Sequence, residues 1–340
     1  MKLTIATGMC CDSRGEESDY PQVGGLSSSE RFQSIYWRCV CVFFASSVRH
    51  NPDASHILFT NAPSIPDLGR FATSKFLKQL GVEVVTLPFS YAPPAGYYNR
   101  WRSTFYLFDI LRRLAEAVGL DDQAIVCDTD CLFIKPACAI SKAIESRGLL
   151  AYDCNLPAEK DINGLTRVQL GALFEELGGG AVPEPPRHYG AEIVAADGIA
   201  LRKVVAEVEA VWDLSIQRFE DGRSHFNTEE HFLSFIYRKL GYAEPSANLF
   251  IKRIWTGREN NCADSADYDL AIWHVPREKK YGITRLFGEL DNPRSRFWQV
   301  PPGAGFARHA GAFLGIPARS PAKAVQDILT YARYRAEQWS

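Results

Sequence analysis

Short apolar runs alternate with stretches of helical periodicity through the first half of the chain, a pattern that builds a mostly parallel sheet flanked by helices. Residues 3–7 read as the first buried strand. The polar stretch 8–29 then runs far beyond an ordinary connection, as functional loops often do. Phe32, Ile35, Tyr36, Cys39 and Phe43 keep one helical face, which ends before Asn51-Pro52. A strand at 57–60, a helix at 71–80 closed by Gly81 and a strand at 82–87 repeat the unit. Trp101, Phe105, Phe108, Leu111, Ala115 and Val118 predict one further helix. A strand over 124–126 then runs into Cys127-Asp128-Thr129-Asp130-Cys131. Strands at 149–152 and 191–195 and a helix at 198–219 follow. No internal repeat is present, and the expected organisation is one large α/β domain over 1–292 with a C-terminal appendage over 293–340.

Composition narrows the partners. A chain of 340 residues, 46% hydrophobic and 12% aromatic, has ample material for a large core. Its 38 Lys and Arg against 40 Asp and Glu give a net charge of -2, without the basic field that binding a nucleic-acid polymer requires. No apolar run approaches the roughly 18 residues of a transmembrane segment, and the run at 3–6 is too short for a signal peptide. A cytoplasmic protein is expected. The nine cysteines contain no CxxC pair, so reduced, mostly buried thiols are expected instead of a disulfide framework or a zinc cluster.

The chemistry centres on Asp128 and Asp130. On an extended chain both side chains point to one side, where two carboxylates repel unless a cation lies between them. Hard oxygen donors at the carboxyl end of a sheet strand suit Mg²⁺ or Mn²⁺. A bare Asp-x-Asp is common by chance, but here it follows three strand–helix units and a buried strand.

On these residues the chain resembles the GT-A nucleotide-sugar glycosyltransferases, over most of its length to about residue 290. The resemblance implies a Rossmann-like, mixed, mostly parallel sheet flanked by helices, with the C-terminal helical appendage added. It also implies that Asp128 and Asp130 bind Mn²⁺ or Mg²⁺ together with the diphosphate of a nucleotide-sugar donor, a UDP-sugar, whose sugar passes to an acceptor hydroxyl. Retaining members of the glycogenin and galactosyltransferase type carry HxxGxxK late in the domain. Residues 274–280 keep the His and the Lys but place Arg277 where the family has Gly. His274, at the end of a predicted strand, becomes the third metal ligand, and Lys279 and Lys280 meet the departing phosphate. Arg102 is the expected basic contact to the donor. Thr7 and Gly8 are expected to touch the nucleobase through their backbone, under a closing 8–29 loop.

Three glutamates compete for the catalytic role. Glu229-Glu230 stands where retaining enzymes have Asp-Gln, although Asn227 with Glu230 also reads as a capping box. Glu192 stands where the family has a small or amide residue, and is the expected acceptor-side base. The rival readings are a non-catalytic nucleotide-sugar-binding protein of the same fold and a haloacid dehalogenase-like phosphatase, whose nucleophile strand also carries DxD. In the appendage, a helix over 321–339 bears an apolar stripe of Val325, Ile328, Leu329 and Ala332 beside Lys323, Arg333 and Arg335. The stripe is expected to pack on the catalytic domain; the alternative is peripheral contact with an anionic membrane.

Overall fold

The computed structural model describes residues 1–178, 180–242 and 244–336, with the side chains of 333–336 excepted. Its first half alternates as expected: β1 (Leu3–Met9), α1 (Glu30–His50), β2 (Ser55–Thr60), α2 (Thr73–Gln79), β3 (Glu83–Thr86), α3 (Tyr106–Ala117) and β4 (Gln123–Cys127). Then come β5 (Cys131–Phe133), α4 (Cys138–Arg147), β6 (Leu149–Asp153), α5 (Arg167–Glu176), β7 (Tyr189–Asp197), α6 (Gly198–Glu220) and α7 (Glu229–Lys239). The rest comprises β8 (Ile251–Arg253), β9 (Ile272–His274), α8 (Gly282–Phe287), α9 (Arg296–Gln299), α10 (Ala304–Leu314) and α11 (Pro321–Ala336). Among the described residues, no helix is long and apolar enough to cross a membrane.

The main sheet has the order β3-β2-β1-β4-β7-β6, and β7 alone runs against its neighbours. Every residue of β4 and β6 is buried, as strands covered by helices on both faces must be. A second sheet, β5-β9-β8, lies beyond the carboxyl end of β4. Helix α1 begins where the Ser29 hydroxyl accepts from the Phe32 amide at 3.2 Å, and its Trp37, Phe43 and Phe44 enter the core.

Two local expectations fail for stated reasons. The helix expected from residue 101 is broken at its start: Trp101 has φ 59, a short 3-10 turn spans Arg102–Phe105, and only then does α3 run. The extended Asp-Thr-Asp segment is instead a turn, closed by the Cys131 amide on the Asp128 carbonyl at 3.1 Å. At that turn the chain leaves the main sheet and enters the second one.

The expected boundary at 292 marks no break in the core, since Phe297, Phe306 and Leu314 pack in the same cluster as Trp37 and Phe43. Helix α11, however, is docked inside out. Val325, Ile328 and Leu329 are 57%, 65% and 49% exposed and Ala332 is also exposed, so the apolar stripe does not pack on the domain. The inward face is polar: Lys323 Nζ pairs with Glu278 at 2.8 Å and Asp327 at 2.9 Å, and Arg285 and Arg319 complete the cluster around Asp327. The Arg333 and Arg335 side chains and Trp339 lie outside the described residues.

Removing one member of a buried ion cluster leaves its partners uncompensated. Lys323→Met therefore lowers unfolding stability by about 3–5 kcal/mol, while Ile328→Gln stays within about 0.5 kcal/mol. Guanidinium denaturation of the two variants checks this; the opposite order would mean that the stripe is the docked face.

A second stability prediction concerns His56. Its ring is buried in β2 with Nε2 at 2.9 Å from the Ser47 hydroxyl, and burial lowers its pKa to about 4. A folded-state pKa below the unfolded value favours the fold above pH 6.5 and is lost as pH falls towards 4. The contribution is about 3 kcal/mol. Unfolding free energies from urea titrations at pH 7.5 and at pH 4.5 are expected to differ less in His56→Gln than in the wild type, by about that amount.

Candidate active site

The turn after β4 brings together residues far apart in sequence. β5 pairs antiparallel with β9 so that Cys131 lies opposite His274, and the Val275 amide donates to the Asp130 carbonyl at 3.1 Å. His274 Nε2 consequently lies 3.2 Å from Asp130 Oδ2 and 3.5 Å from Asp128 Oδ2. An octahedral Mg²⁺ or Mn²⁺ shell has neighbouring ligands about 3 Å apart, so this donor set fits such an ion with little adjustment. Asp130 is buried and Asp128 half-exposed at the cleft, which leaves the outer part of the shell for water or phosphate oxygens.

The other face of the imidazole is held as metal-binding histidines usually are. His274 Nδ1 lies 3.2 Å from Glu192 Oε1, which fixes the ring with Nε2 towards the two aspartates. Burial works against a charged ring, but the Asp130 and Glu192 carboxylates outweigh it and raise His274 to about 9. Lys279 Nζ reaches Asp130 Oδ2 at 2.5 Å, so in the protein alone Asp130 is neutralised by Lys279 and His274.

Glu192 itself is no longer the expected base. It is 1% exposed, and Arg253 clamps both its oxygens at 2.7 and 2.8 Å. Gly190 makes room for this pair, since a Cβ there would overlap the Glu192 carboxylate and come within 2.9 Å of Arg253 Nη2. Glu230 is also bound to Arg253, through Oε1 at 2.5 Å, and its Oε2 lies 2.9 Å from His188 Nε2. The capping box expected for Glu230 is absent: Thr228 is the N-cap, and the Asn227 side chain donates instead to the Asn163 carbonyl at 2.9 Å.

Glu229 differs from both. It lines a cleft of about 330 Å³ with Asp128, Asp130, His274 and Lys279, and its carboxylate accepts from the Thr104 hydroxyl. Burial, the adjacent Glu230 and the Asp128 charge push it up to about 8.

The remaining expected contacts divide. Gly8 lines the cleft, where a Cβ would overlap Ile110 of α3. Thr7 does not line it; its buried hydroxyl donates to the Cys127 carbonyl at 2.7 Å and ties β1 to the end of β4. Arg102 is not a cleft residue either: its guanidinium stacks 5.3 Å from the Phe89 ring and lies 3.4 Å from Glu16. Lys280 donates to the Val23 carbonyl at 2.7 Å, clasping the polar loop instead of facing the aspartates. That loop forms one wall of the cleft, with Asp12, Tyr20 and Ser27 lining it and Tyr20 and Val23 packed on Phe32 and Ile35. Arg253, Thr104 and Trp255 also line the cleft and were not foreseen.

The chain matches no protein-family model and no curated protein. Among solved structures it is similar to the bifunctional glycosyltransferase WbbM in its apo form, at 8% identity and TM-score 0.50, over 80% of this chain and 45% of that one. It is also similar to mouse xyloside xylosyltransferase 1 in its apo form, at 9% identity and TM-score 0.47, over 81% of this chain and 97% of that one. A third similar structure is the galactosyltransferase LgtC in complex with donor and acceptor sugar analogs, at 12% identity and TM-score 0.44, over 95% and 100% of the two chains. The chain thus spans less than half the length of WbbM. Its fold is the GT-A glycosyltransferase fold, as the sequence resemblance implied. In this topology the Asp-Thr-Asp turn follows the fourth strand, not the first as the phosphatase alternative requires.

Proposed function

We propose that this chain is a divalent-metal-dependent glycosyltransferase that moves a sugar from a nucleotide-diphosphate donor, a UDP-sugar, to an acceptor hydroxyl. The observation that carries the reading is the convergence of Asp128, Asp130 and His274 beside Lys279 on the floor of the cleft. Asp128, Asp130 and His274 would hold Mn²⁺ or Mg²⁺, which when bound neutralises charge developing on the departing diphosphate. Glu192 keeps the His274 ring in register, and Arg253 keeps Glu192 in place. Lys279 lies beside Asp130 and adds a positive charge to the leaving-group side. The backbone around Gly8 offers the nucleobase a wall without side-chain bulk.

Glu229 is the carboxylate we assign to the acceptor side. Glu229 and Glu230 both line the cleft, but Glu230, like Glu192, is tied to Arg253, whereas Glu229 has a hydroxyl donor on one oxygen. Thr104 would orient it, and its other oxygen would take the acceptor proton. The spacing of the nine cysteines, with no CxxC pair, fits a reducing, cytoplasmic setting.

A thermal-shift panel of nucleotide sugars with Mn²⁺ or with chelator tests the binding half of this reading. A ligand that binds only the folded protein raises Tm by mass action. At least one donor is expected to raise Tm in Mn²⁺ and not in chelator; a panel without any metal-dependent shift would overturn the assignment.

A further inference from the structure

We propose that Cys154, His188 and Glu230 form a second metal site, for a thiolate-accepting divalent cation of the Zn²⁺ class, behind the wall of the cleft. The three residues come from three elements. Cys154 directly follows β6 and His188 directly precedes β7, and the pairing of Asp153 with Tyr189 continues one step further, with the Cys154 amide on the His188 carbonyl at 3.0 Å. Residues opposite each other on antiparallel strands project to the same face. Glu230 reaches that face from the first turn of α7, so one donor atom from each residue lies within 4.8 Å of the other two.

The chemistry of the donors separates this site from the aspartate turn. Thiolate, imidazole and carboxylate together select zinc-like ions, whereas two carboxylates and one imidazole open to phosphate suit Mg²⁺ or Mn²⁺. One feature points to a ligand. His188 is 1% exposed, yet among the described residues its Nδ1 has no hydrogen-bond partner, so the protein alone does not satisfy the ring. Arg253 holds Oε1 of Glu230, and Oε2 lies 2.9 Å from His188 Nε2 and accepts from Asn163 at 3.5 Å, so an ion seated there replaces the imidazole–carboxylate contact. The charges also close: a dication, a Cys154 thiolate and the Glu230 carboxylate are neutral together, and Arg253 is matched by Glu192. The metal displaces the thiol proton to solvent, and no electron transfer is involved. Such a site would pin the start of α7, and with it Glu229, to the β6–β7 edge.

Cobalt reports the site, because a cobalt–thiolate bond has a near-ultraviolet charge-transfer band that oxygen and nitrogen ligation lacks. The full chain, stripped of metal and held in excess Mg²⁺, is titrated with Co²⁺ and then with Zn²⁺. One equivalent of Co²⁺ is expected to produce the band, Zn²⁺ to abolish it, and one thiol to become protected from a disulfide reagent. Cys154→Ser is expected to lose the band, and His188→Asn to weaken Zn²⁺ binding by more than about 10-fold, the scale seen when even an outer partner is lost. Absence of the band in the wild-type protein, or its persistence in Cys154→Ser, overturns the proposal. Neither result bears on donor binding at Asp128 and Asp130, which is read separately with Mn²⁺.

Discussion

Glu229→Gln is expected to lower kcat by about 10²- to 10⁴-fold while leaving donor affinity in Mn²⁺ close to the wild-type value. The amide has the volume of the acid and still accepts from Thr104, so neither packing nor that hydrogen bond is lost. It cannot take a proton from an acceptor hydroxyl. The neighbouring glutamates provide the contrast. Glu192→Gln loosens a bidentate pair and leaves the Arg253 charge only partly matched in a buried setting, so its effect appears in thermal stability as well as in turnover. A Glu229→Gln enzyme with wild-type kcat would remove Glu229 from the reaction and reopen the choice among the three carboxylates.

Asp130→Asn is expected to weaken Mn²⁺ binding and to lower kcat/KM by about 10²- to 10³-fold, the range associated with losing one preorganised electrostatic group. Asparagine is the informative replacement because it keeps an oxygen within reach of Lys279 and His274. Alanine would strand the buried Lys279 ammonium and add a stability loss of about 3–5 kcal/mol, mixing two effects in one variant. Calorimetric titration of Mn²⁺ into both proteins checks the prediction, and unchanged affinity in Asp130→Asn would contradict the metal assignment.

What could be read in the sequence was what depends on periodicity. Strands buried on both faces are continuous apolar runs, and a helix such as α1 shows its spacing and its Ser29 cap directly. The pairing of strands into two sheets carries no such local mark. The three-residue β8 was missed altogether, and with it Arg253, although a basic residue ending an apolar run is a usable signal. Glu192 reads as a free base and Glu230 as a helix cap because the arginine that binds them lies 61 and 23 residues away in the chain.

Short motifs misled in both directions. Asn227 to Glu230 has capping-box spacing without forming one, because Arg253 and His188 compete for the glutamate. Thr166 and Gln169 form one that was overlooked. Helix α11 shows the limit of amphipathicity as a guide. The stripe of Val325, Ile328 and Leu329 points to a docked apolar face, but the ion cluster of Lys323, Asp327 and Glu278 decides the orientation, and one of its three members, Glu278, is contributed by a distant turn.

The most direct test of the central claim is turnover. The protein is incubated with each of a panel of nucleotide sugars in Mn²⁺ and a mixture of hydroxyl acceptors, and released nucleoside diphosphate is measured. Release from at least one donor that stops on chelation and falls in both Asp130→Asn and Glu229→Gln is the predicted result. Saturable donor binding with no release from any member of the panel would contradict it, and would leave a nucleotide-sugar-binding protein of the same fold.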